Sequence, residues 1–287
     1  NYIFTSIPKY RVLAGRLKKV IKQSMKYIVD SLRFSKFDVL GHEMEFKSQK
    51  EYPPIEIKLE NGKTVEITGK IDRIDIAKTA DGNYIRIIDY KSSIKDINLN
   101  EVKAGLQLQL LTYMDAVCEI EDVLPAGVLY FNLIDPTIKA SSHLSQEEIE
   151  FELRKQFKMK GLILADIDVV QMMDTNLEKG SSNVIPAYVD KDGNLSQKSS
   201  SVTRKQFEDL QKYTKNMLSK ISEEILSGKI DVKPYYKVKG GKTPCEYCSY
   251  KSICQFNNGI CKNSYYYIGN INKDAILEQI AKQEATD

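Results

Sequence analysis

Apolar residues recur every three to four positions from residue 9 to residue 34. This spacing predicts an amphipathic helix, because residues three and four apart share one helical face. Lysine and arginine fill many of the other positions, which favours a solvated face and leaves contact with DNA phosphates as the alternative. The same spacing predicts helices at 145–159 and 203–227, and a helix at 101–117 that Gly105 opens.

The pattern changes to alternation of apolar and polar residues between positions 55 and 91. Alternation is typical of strands with one buried face. Asn61-Gly62 marks a hairpin turn, and the sequence KTADGN at 78–83 marks a second turn. We therefore predict three consecutive antiparallel strands in this region.

A further buried strand is predicted at 126–135, so strands and helices are mixed along the chain. The predicted fold class is α/β, with a central mixed sheet flanked by helices. We expect residues 1–232 to form this domain around a core at about 40–135, and residues 233–287 to form a C-terminal cysteine-rich segment and tail.

The third predicted strand ends on Asp89 and Lys91, which share a face because side chains alternate along a strand. A six-residue loop at 78–83 would put Asp72 opposite Asp89. A two-residue turn at 81–82 would instead put Asp72 opposite Lys91. Either register gathers two carboxylates and an ammonium group at one end of a β-ribbon.

Two carboxylates at this distance repel each other, and a divalent cation relieves the repulsion. Oxygen ligands suit Mg²⁺ or Mn²⁺, either of which activates water and binds phosphate oxygens, and a neighbouring ammonium stabilises charge on phosphorus. The pattern thus predicts phosphodiester hydrolysis, with Asp72 and Asp89 as metal ligands and Lys91 as a catalytic group. The alternative is a surface ion pair between Asp89 and Lys91, worth ~0–1 kcal/mol.

Three motifs in order, GKID at 69–72, DYKS at 89–92 and QLLTY at 109–113, resemble the RecB-type branch of the PD-(D/E)xK nuclease superfamily. The resemblance implies a restriction-endonuclease-like core and Mg²⁺-dependent cleavage of DNA. It further implies that Gln109 and Tyr113 position the helix and the DNA strand.

Five cysteines are unevenly placed, and only Cys118, interpreted as a packed thiol, stands apart from the C-terminal group. This distribution argues against a disulfide framework and favours metal or cluster ligation in a reducing compartment such as the cytoplasm. The spacing of Cys245, Cys248 and Cys254 fits half of a zinc site or three ligands of an iron–sulfur cluster.

In RecB-type nucleases with a 4Fe-4S cluster, one cysteine precedes the nuclease core and three follow it. The resemblance thus assigns Cys245, Cys248 and Cys254 to such a cluster. No cysteine precedes Cys118, so the chain is expected to be a fragment that lacks the fourth ligand and holds no cluster by itself. The alternative is that Cys261 serves as the fourth ligand, although its spacing from Cys254 differs from that of the family.

Longer stretches, including PAGVLYFNLIDP, SSNVIPAYVDKDG and KTPCEYCSYKSICQF, resemble the C-terminal part of the AddB family of bacterial AddAB helicase–nucleases. This resemblance implies a DNA exonuclease domain that processes double-strand breaks for recombinational repair, with DNA and an AddA-type subunit as partners. A RecB-like nuclease of CRISPR adaptation and a non-catalytic, cluster-stabilised DNA-end scaffold are the alternatives.

Other features narrow the function without deciding it. The net charge of +3 is too small to indicate a nucleic-acid binder by itself. No apolar run reaches the ~18 residues of a membrane span, and no phosphate-binding glycine loop is present. Glu43, in GHEMEF, matches a family glutamate whose role, in folding or metal support, is left open together with that of Glu45.

Overall fold

The computed structural model describes residues 6–138, 143–260 and 264–285. Its helices are α1 Pro8–Arg33, α2 Leu99–Lys103, α3 Gln109–Glu121, α4 Gln146–Phe157, α5 Ile167–Met173, α6 Arg204–Leu226, α7 Lys251–Cys254 and α8 Lys273–Glu284. Its strands are β1 Asp38–Phe46, β2 Ile55–Lys58, β3 Thr64–Ile67, β4 Gly69–Thr79, β5 Gly82–Lys91, β6 Leu124–Asn132, β7 Lys160–Leu164, β8 Gly180–Ser181, β9 Tyr188–Val189, β10 Ser201–Val202, β11 Tyr235–Lys237 and β12 Tyr266–Ile268.

Three predicted helices are confirmed with bounds close to those expected, as α1, α4 and α6. Local chemistry explains where the first two begin. Pro8 stands in the first turn of α1, where its missing N–H costs nothing. Ser145 and Glu148 form a reciprocal capping box at the start of α4.

The single helix predicted at 101–117 is wrong, because the segment forms two helices, α2 and α3. Gly105 lies between them with a φ of +79°, a left-handed conformation that favours glycine. Gly105 therefore follows the end of α2 and does not open the helix that carries Gln109.

Six strands form a mixed sheet in the order β1-β4-β5-β6-β7-β10. β5 pairs with β6 and β7 with β10 in parallel, and the other neighbours are antiparallel. Side chains from both faces of the central strands are fully buried, including Ile74, Ile85, Ile87, Val128, Leu129 and Ile163. The mixed sheet flanked by helices confirms the predicted fold class.

The prediction of three strands across 55–91 is partly wrong. The Asn61-Gly62 hairpin is present, but β2 and β3 form a separate two-stranded sheet. Strand β3 ends before Thr68 and β4 begins after it. β4 then pairs with β1 on one side and with β5 on the other. One stretch of alternating sequence thus becomes two strands in two sheets, because alternation identifies a strand without naming its partner.

The chain divides into two compact units. The first comprises Asn1–Pro53, Thr68–Ile97 and Tyr113–Phe207, and it holds the six-stranded sheet. The second comprises Pro54–Ile67, Asn98–Thr112 and Glu208–Asp287. Within the second unit, Asn100 exchanges two hydrogen bonds with the backbone of Ile271, at 3.0 and 2.9 Å. The division near residue 232 stays a prediction.

Within the part of the chain that the structure describes, no helix is long and apolar enough to cross a membrane.

Candidate active site

Pairing between β4 and β5 decides where the predicted carboxylates lie. The strands pair from Thr79↔Gly82 to Arg73↔Ile88. Continuing this register by one residue puts Asp72 opposite Asp89, as one of the two predicted registers required. Directly opposed residues in an antiparallel pair share a face, so both carboxylates point to the same side of the sheet.

The connection that sets this register differs from the six-residue loop expected for it. Only residues 80–81 separate β4 from β5. Gly82 follows with a φ of +132°, and the hydroxyl of Thr79 donates a hydrogen bond to the Gly82 carbonyl at 2.6 Å. The tight turn thus closes one residue earlier than the Asp81-Gly82 turn considered from the sequence.

The β4–β5 ladder ends at the two carboxylates. Instead of another backbone pair, Asp72 Oδ2 accepts a hydrogen bond from the Tyr90 N–H at 2.9 Å. On its other edge, β5 stays paired with β6 through Tyr90 and Lys91. One carboxylate oxygen of Asp72 is therefore fixed by the backbone of β5.

Asp89 is buried, with 5% of its surface exposed. Lys91 Nζ lies 2.7 Å from Asp89 Oδ2, and the ion pair confirms that these side chains share a face. Burial raises the pKa of the Asp89 carboxyl; the Lys91 ammonium opposes the shift, and the Asp72 carboxylate adds to it. The contribution from Asp72 reflects the proximity of the two acids.

The carboxylate oxygens of Asp72 and Asp89 fit a cation that keeps part of its water shell. Asp89 Oδ2 is buried and has an ion pair with Lys91, but no hydrogen bond of regular geometry among the described residues. In the same part of the chain, no three acidic, histidine or cysteine side chains are grouped to hold a metal. Two carboxylates suffice for Mg²⁺, which binds through one or two of them and retains several waters.

Tyr113 is buried and holds the start of β4. Its hydroxyl accepts a hydrogen bond from the Lys70 N–H at 3.2 Å, and its ring stacks on Phe46 with centroids 5.7 Å apart. This contact lies two residues before Asp72. The structure thus shows that Tyr113 contacts the strand that carries Asp72, and a contact with the DNA strand stays a prediction.

Gln109 is exposed and is the first residue of α3, one helical turn before Tyr113. The predicted spacing of these two residues on one helix is therefore present. The role of Gln109 stays a prediction.

A buried ionic cluster lies on the other face of β4 and β5, and sequence reasoning did not identify it. Asp75 binds Arg73 through both carboxylate oxygens, each at 2.6 Å, and accepts a further bond from Arg86 at 2.9 Å. Arg73 also donates to the Tyr90 hydroxyl at 3.3 Å. The side chain of Arg86 is fully buried against the ring of Phe37, 4.9 Å from its centroid.

This cluster connects the strands immediately behind the two carboxylates. Burial lowers the pKa of Arg86, and the Asp75 carboxylate opposes that shift. The available signal was GKIDRID, which puts Arg73 and Asp75 on either side of Ile74 within a predicted strand. Charges in a strand buried on both faces need partners, and that requirement predicts such a cluster.

Glu43 lies on β1 between the pairs His42↔Arg73 and Met44↔Ile71, and therefore across from Asp72. Its backbone has a φ of 54°, and its carboxylate lies 3.0 Å from Lys70 Nζ. Glu45 contacts Lys50 at 3.5 Å. Both glutamates are thus engaged by lysines at the edge of the site.

The predicted cluster cysteines lie between β11 and β12 along the chain. Cys245 is half-buried, whereas Cys248 and Cys254 are exposed. Within the described residues these three thiols are not gathered into a group that would hold a metal. Cys261 lies outside the described residues.

A mixed sheet whose central hairpin ends in two facing carboxylates and an adjacent lysine is an arrangement that suits a metal-dependent nuclease. The model of the PD-(D/E)XK nuclease superfamily matches residues 3–255. The chain belongs to this superfamily, whose members are metal-dependent nucleases.

Similar curated proteins are named as subunits of an ATP-dependent helicase/deoxyribonuclease. The one from Acetivibrio thermocellus is 42% identical over 282 residues, which cover 96% of this chain and 24% of that protein. The one from Clostridium novyi is 42% identical over 287 residues, which cover 98% of this chain and 25% of that protein. The one from Thermoanaerobacter pseudethanolicus is 38% identical over 292 residues, covering 100% and 25%. The chain spans about a quarter of the length of these relatives.

Proposed function

We propose that this chain is the Mg²⁺-dependent DNA exonuclease domain of an AddB-type subunit of a bacterial helicase–nuclease. The observation that carries the proposal is the facing pair Asp72 and Asp89, with Lys91 2.7 Å from Asp89, in a chain of the PD-(D/E)XK superfamily.

Each side chain has a separate role in the proposed reaction. Asp72 and Asp89 hold Mg²⁺, which when bound neutralises phosphate charge and acidifies water. Asp72 is preorganised by the Tyr90 N–H, which holds one of its oxygens. Lys91 orients the attacking water or stabilises the negative charge that develops on the phosphate. Burial of Asp89 strengthens these interactions because the surroundings screen charge poorly.

The names of the relatives support the wider assignment to a subunit of a helicase/deoxyribonuclease. The proposed role of that enzyme is to process double-strand DNA breaks for recombinational repair. The proposed partners are DNA and an AddA-type subunit. A CRISPR-adaptation nuclease is less favoured, since these relatives are helicase/deoxyribonuclease subunits. A non-catalytic DNA-end scaffold is less favoured because both acids and the lysine are retained together.

Cys245, Cys248 and Cys254 are proposed ligands of a 4Fe-4S cluster in the longer protein, with a fourth cysteine supplied from outside this chain. Their spacing supports the proposal, although their arrangement here does not form a complete ligand set. Anaerobic purification of this chain and of a longer protein should give iron and visible absorbance only for the longer one. Absence of iron from the longer protein would revive the zinc interpretation.

The nuclease assignment is tested by comparing the wild-type chain with Asp89→Asn on end-labelled DNA with and without Mg²⁺. Loss of a metal ligand should lower the rate by about 10²-fold or more. Asp81→Asn, in the turn at the opposite end of β5, is the matched control and should cleave like the wild type. Binding of Mn²⁺, followed by electron paramagnetic resonance, gives a second readout that should also distinguish the two variants. Equal cleavage and Mn²⁺ binding in all three proteins would refute the assignment.

A further inference from the structure

A basic cavity lies in the same unit as the metal-site carboxylates. Its volume is about 340 Å³, and its lining includes Lys155, Lys158, Lys160 and Lys198, with Asp96 as the acidic member. Lys155 also pairs with Glu152 at 2.7 Å. Of the remaining three ammonium groups, Lys160 interacts with the Asp96 carboxylate, so the cavity keeps a net positive charge that suits an anion.

Sheet pairing connects this cavity with the proposed metal site. Asp89 pairs with Tyr130 on β6, and Tyr130 pairs with Lys160 on β7. Paired residues share a face, so these three side chains form a row on the side of the sheet that carries both acids. Lys160 is two strands from Asp89, which corresponds to ~10 Å at ~4.8 Å per strand.

The lysine side chains are held in place around the cavity. Lys158 Nζ donates a hydrogen bond to the Ser181 hydroxyl at 3.0 Å. Lys198 Nζ lies over the Tyr188 ring, 4.9 Å from its centroid. Burial lowers the pKa of Lys158, while the Asp174 carboxylate opposes this effect. A bound anion would compensate the unfavourable burial of this ammonium group.

We infer that Lys158, Lys160 and Lys198 form a binding site for backbone phosphates of the DNA strand whose scissile phosphate lies at Asp72 and Asp89. This inference rests on the proposed nuclease function and adds to it the direction of the strand, from β5 toward β7 and past the buried Tyr130. Lysine fits this role as a point charge that contacts phosphate without reading a base. Ser200, which also lines the cavity, supplies a hydroxyl donor.

The salt dependence of DNA binding tests the site without cleavage. A fluorescein-labelled single strand of oligo(dT) is titrated with the 287-residue chain in EDTA over a range of salt concentrations. Each phosphate contact on a single strand contributes ~0.7 to the slope of log K against log salt. The triple variant Lys158→Gln/Lys160→Gln/Lys198→Gln should lower the slope by about 2.

Two controls and one single-site variant separate phosphate binding from loss of folding. The triple arginine variant at the same positions should retain the slope. The variant Lys63→Gln/Lys78→Gln/Lys229→Gln removes the same charge from exposed sites elsewhere and should also retain it. If the triple glutamine variant fails to fold, the exposed Lys198→Gln alone should lower the slope by ~0.7. Slopes equal to that of the wild type in the folded glutamine variants would overturn the inference.

Parallel cleavage assays in Mg²⁺ distinguish this inference from the proposed function. If the wild-type chain binds DNA through these lysines but does not cleave it, the phosphate site stands and the nuclease assignment is contradicted. Cleavage that Asp89→Asn abolishes, with a lysine-independent salt slope, would preserve the nuclease and overturn the phosphate site.

Discussion

Gly69 and Tyr113 are in direct contact, and their contact links the first and third sequence motifs of the site. A Cβ atom on Gly69 would lie within 3 Å of the hydroxyl, Cε1 and Cζ of Tyr113. The glycine is required by this close approach of the ring. The same ring holds the Lys70 N–H, so the contact fixes β4 just before Asp72.

Gly69→Ala should therefore destabilise the chain by about 1–3 kcal/mol, the usual cost of overpacking. Nuclease activity should also fall, because Asp72 would move with β4. Urea denaturation and cleavage rates measure the two effects. Gly15→Ala is the matched control, since nothing lies within 4 Å of its added methyl group, and alanine in a helix is expected to stabilise by ~1 kcal/mol. An unchanged urea midpoint in Gly69→Ala would contradict the packing account.

Asp89→Asn should make the metal-free protein more stable at neutral pH. The raised pKa of Asp89 means that stability is highest when this group is protonated and is lost as the pH rises through the folded-state pKa. Asparagine stays neutral throughout, so its advantage should shrink as the pH falls toward the ordinary aspartate value. Urea midpoints in EDTA across this acid range give the comparison. A variant less stable than the wild type at neutral pH would show that the ion pair with Lys91 outweighs burial.

Asp75→Ala should destabilise the fold strongly, by ~3–5 kcal/mol, because it leaves Arg73 and Arg86 buried without their shared counterion. Chemical denaturation measures the change. The exposed Asp231→Ala should change stability by less than ~0.5 kcal/mol. A similarly small effect at Asp75 would mean that water reaches the arginines when the carboxylate is removed.

Lys91→Met should lower the catalytic rate constant by ~10²–10³ at saturating Mg²⁺, while leaving metal affinity intact or stronger. The reason is that Lys91 contacts Asp89 but is not itself a ligand. Mg²⁺ titrations of the cleavage rate separate the two quantities, and the exposed Lys95→Met is the matched control. Weaker Mg²⁺ affinity with an undiminished maximal rate would assign Lys91 to the support of Asp89 alone.

Local features of this protein follow from its amino-acid sequence alone. Periodicity located α1, α4 and α6, and the two-residue alternation put Asp89 and Lys91 on one face of β5. These features depend on neighbours within a few positions along the chain, so the sequence contains the required information. The three motifs likewise identified a nuclease superfamily before any pairing was known.

The tertiary structure decided which strands pair and what lies behind them. It selected the register that opposes Asp72 and Asp89, separated β3 from β4 at Thr68, and grouped Arg73 and Arg86 around Asp75. It also aligned Lys160 with Asp89 across β6. Packing between residues distant in sequence selects strand partners. A register shift of one residue moves every side chain to the opposite face of the sheet. Local preferences therefore predicted the strands, whereas only the packed sheet determined which charged side chains lie on one face together.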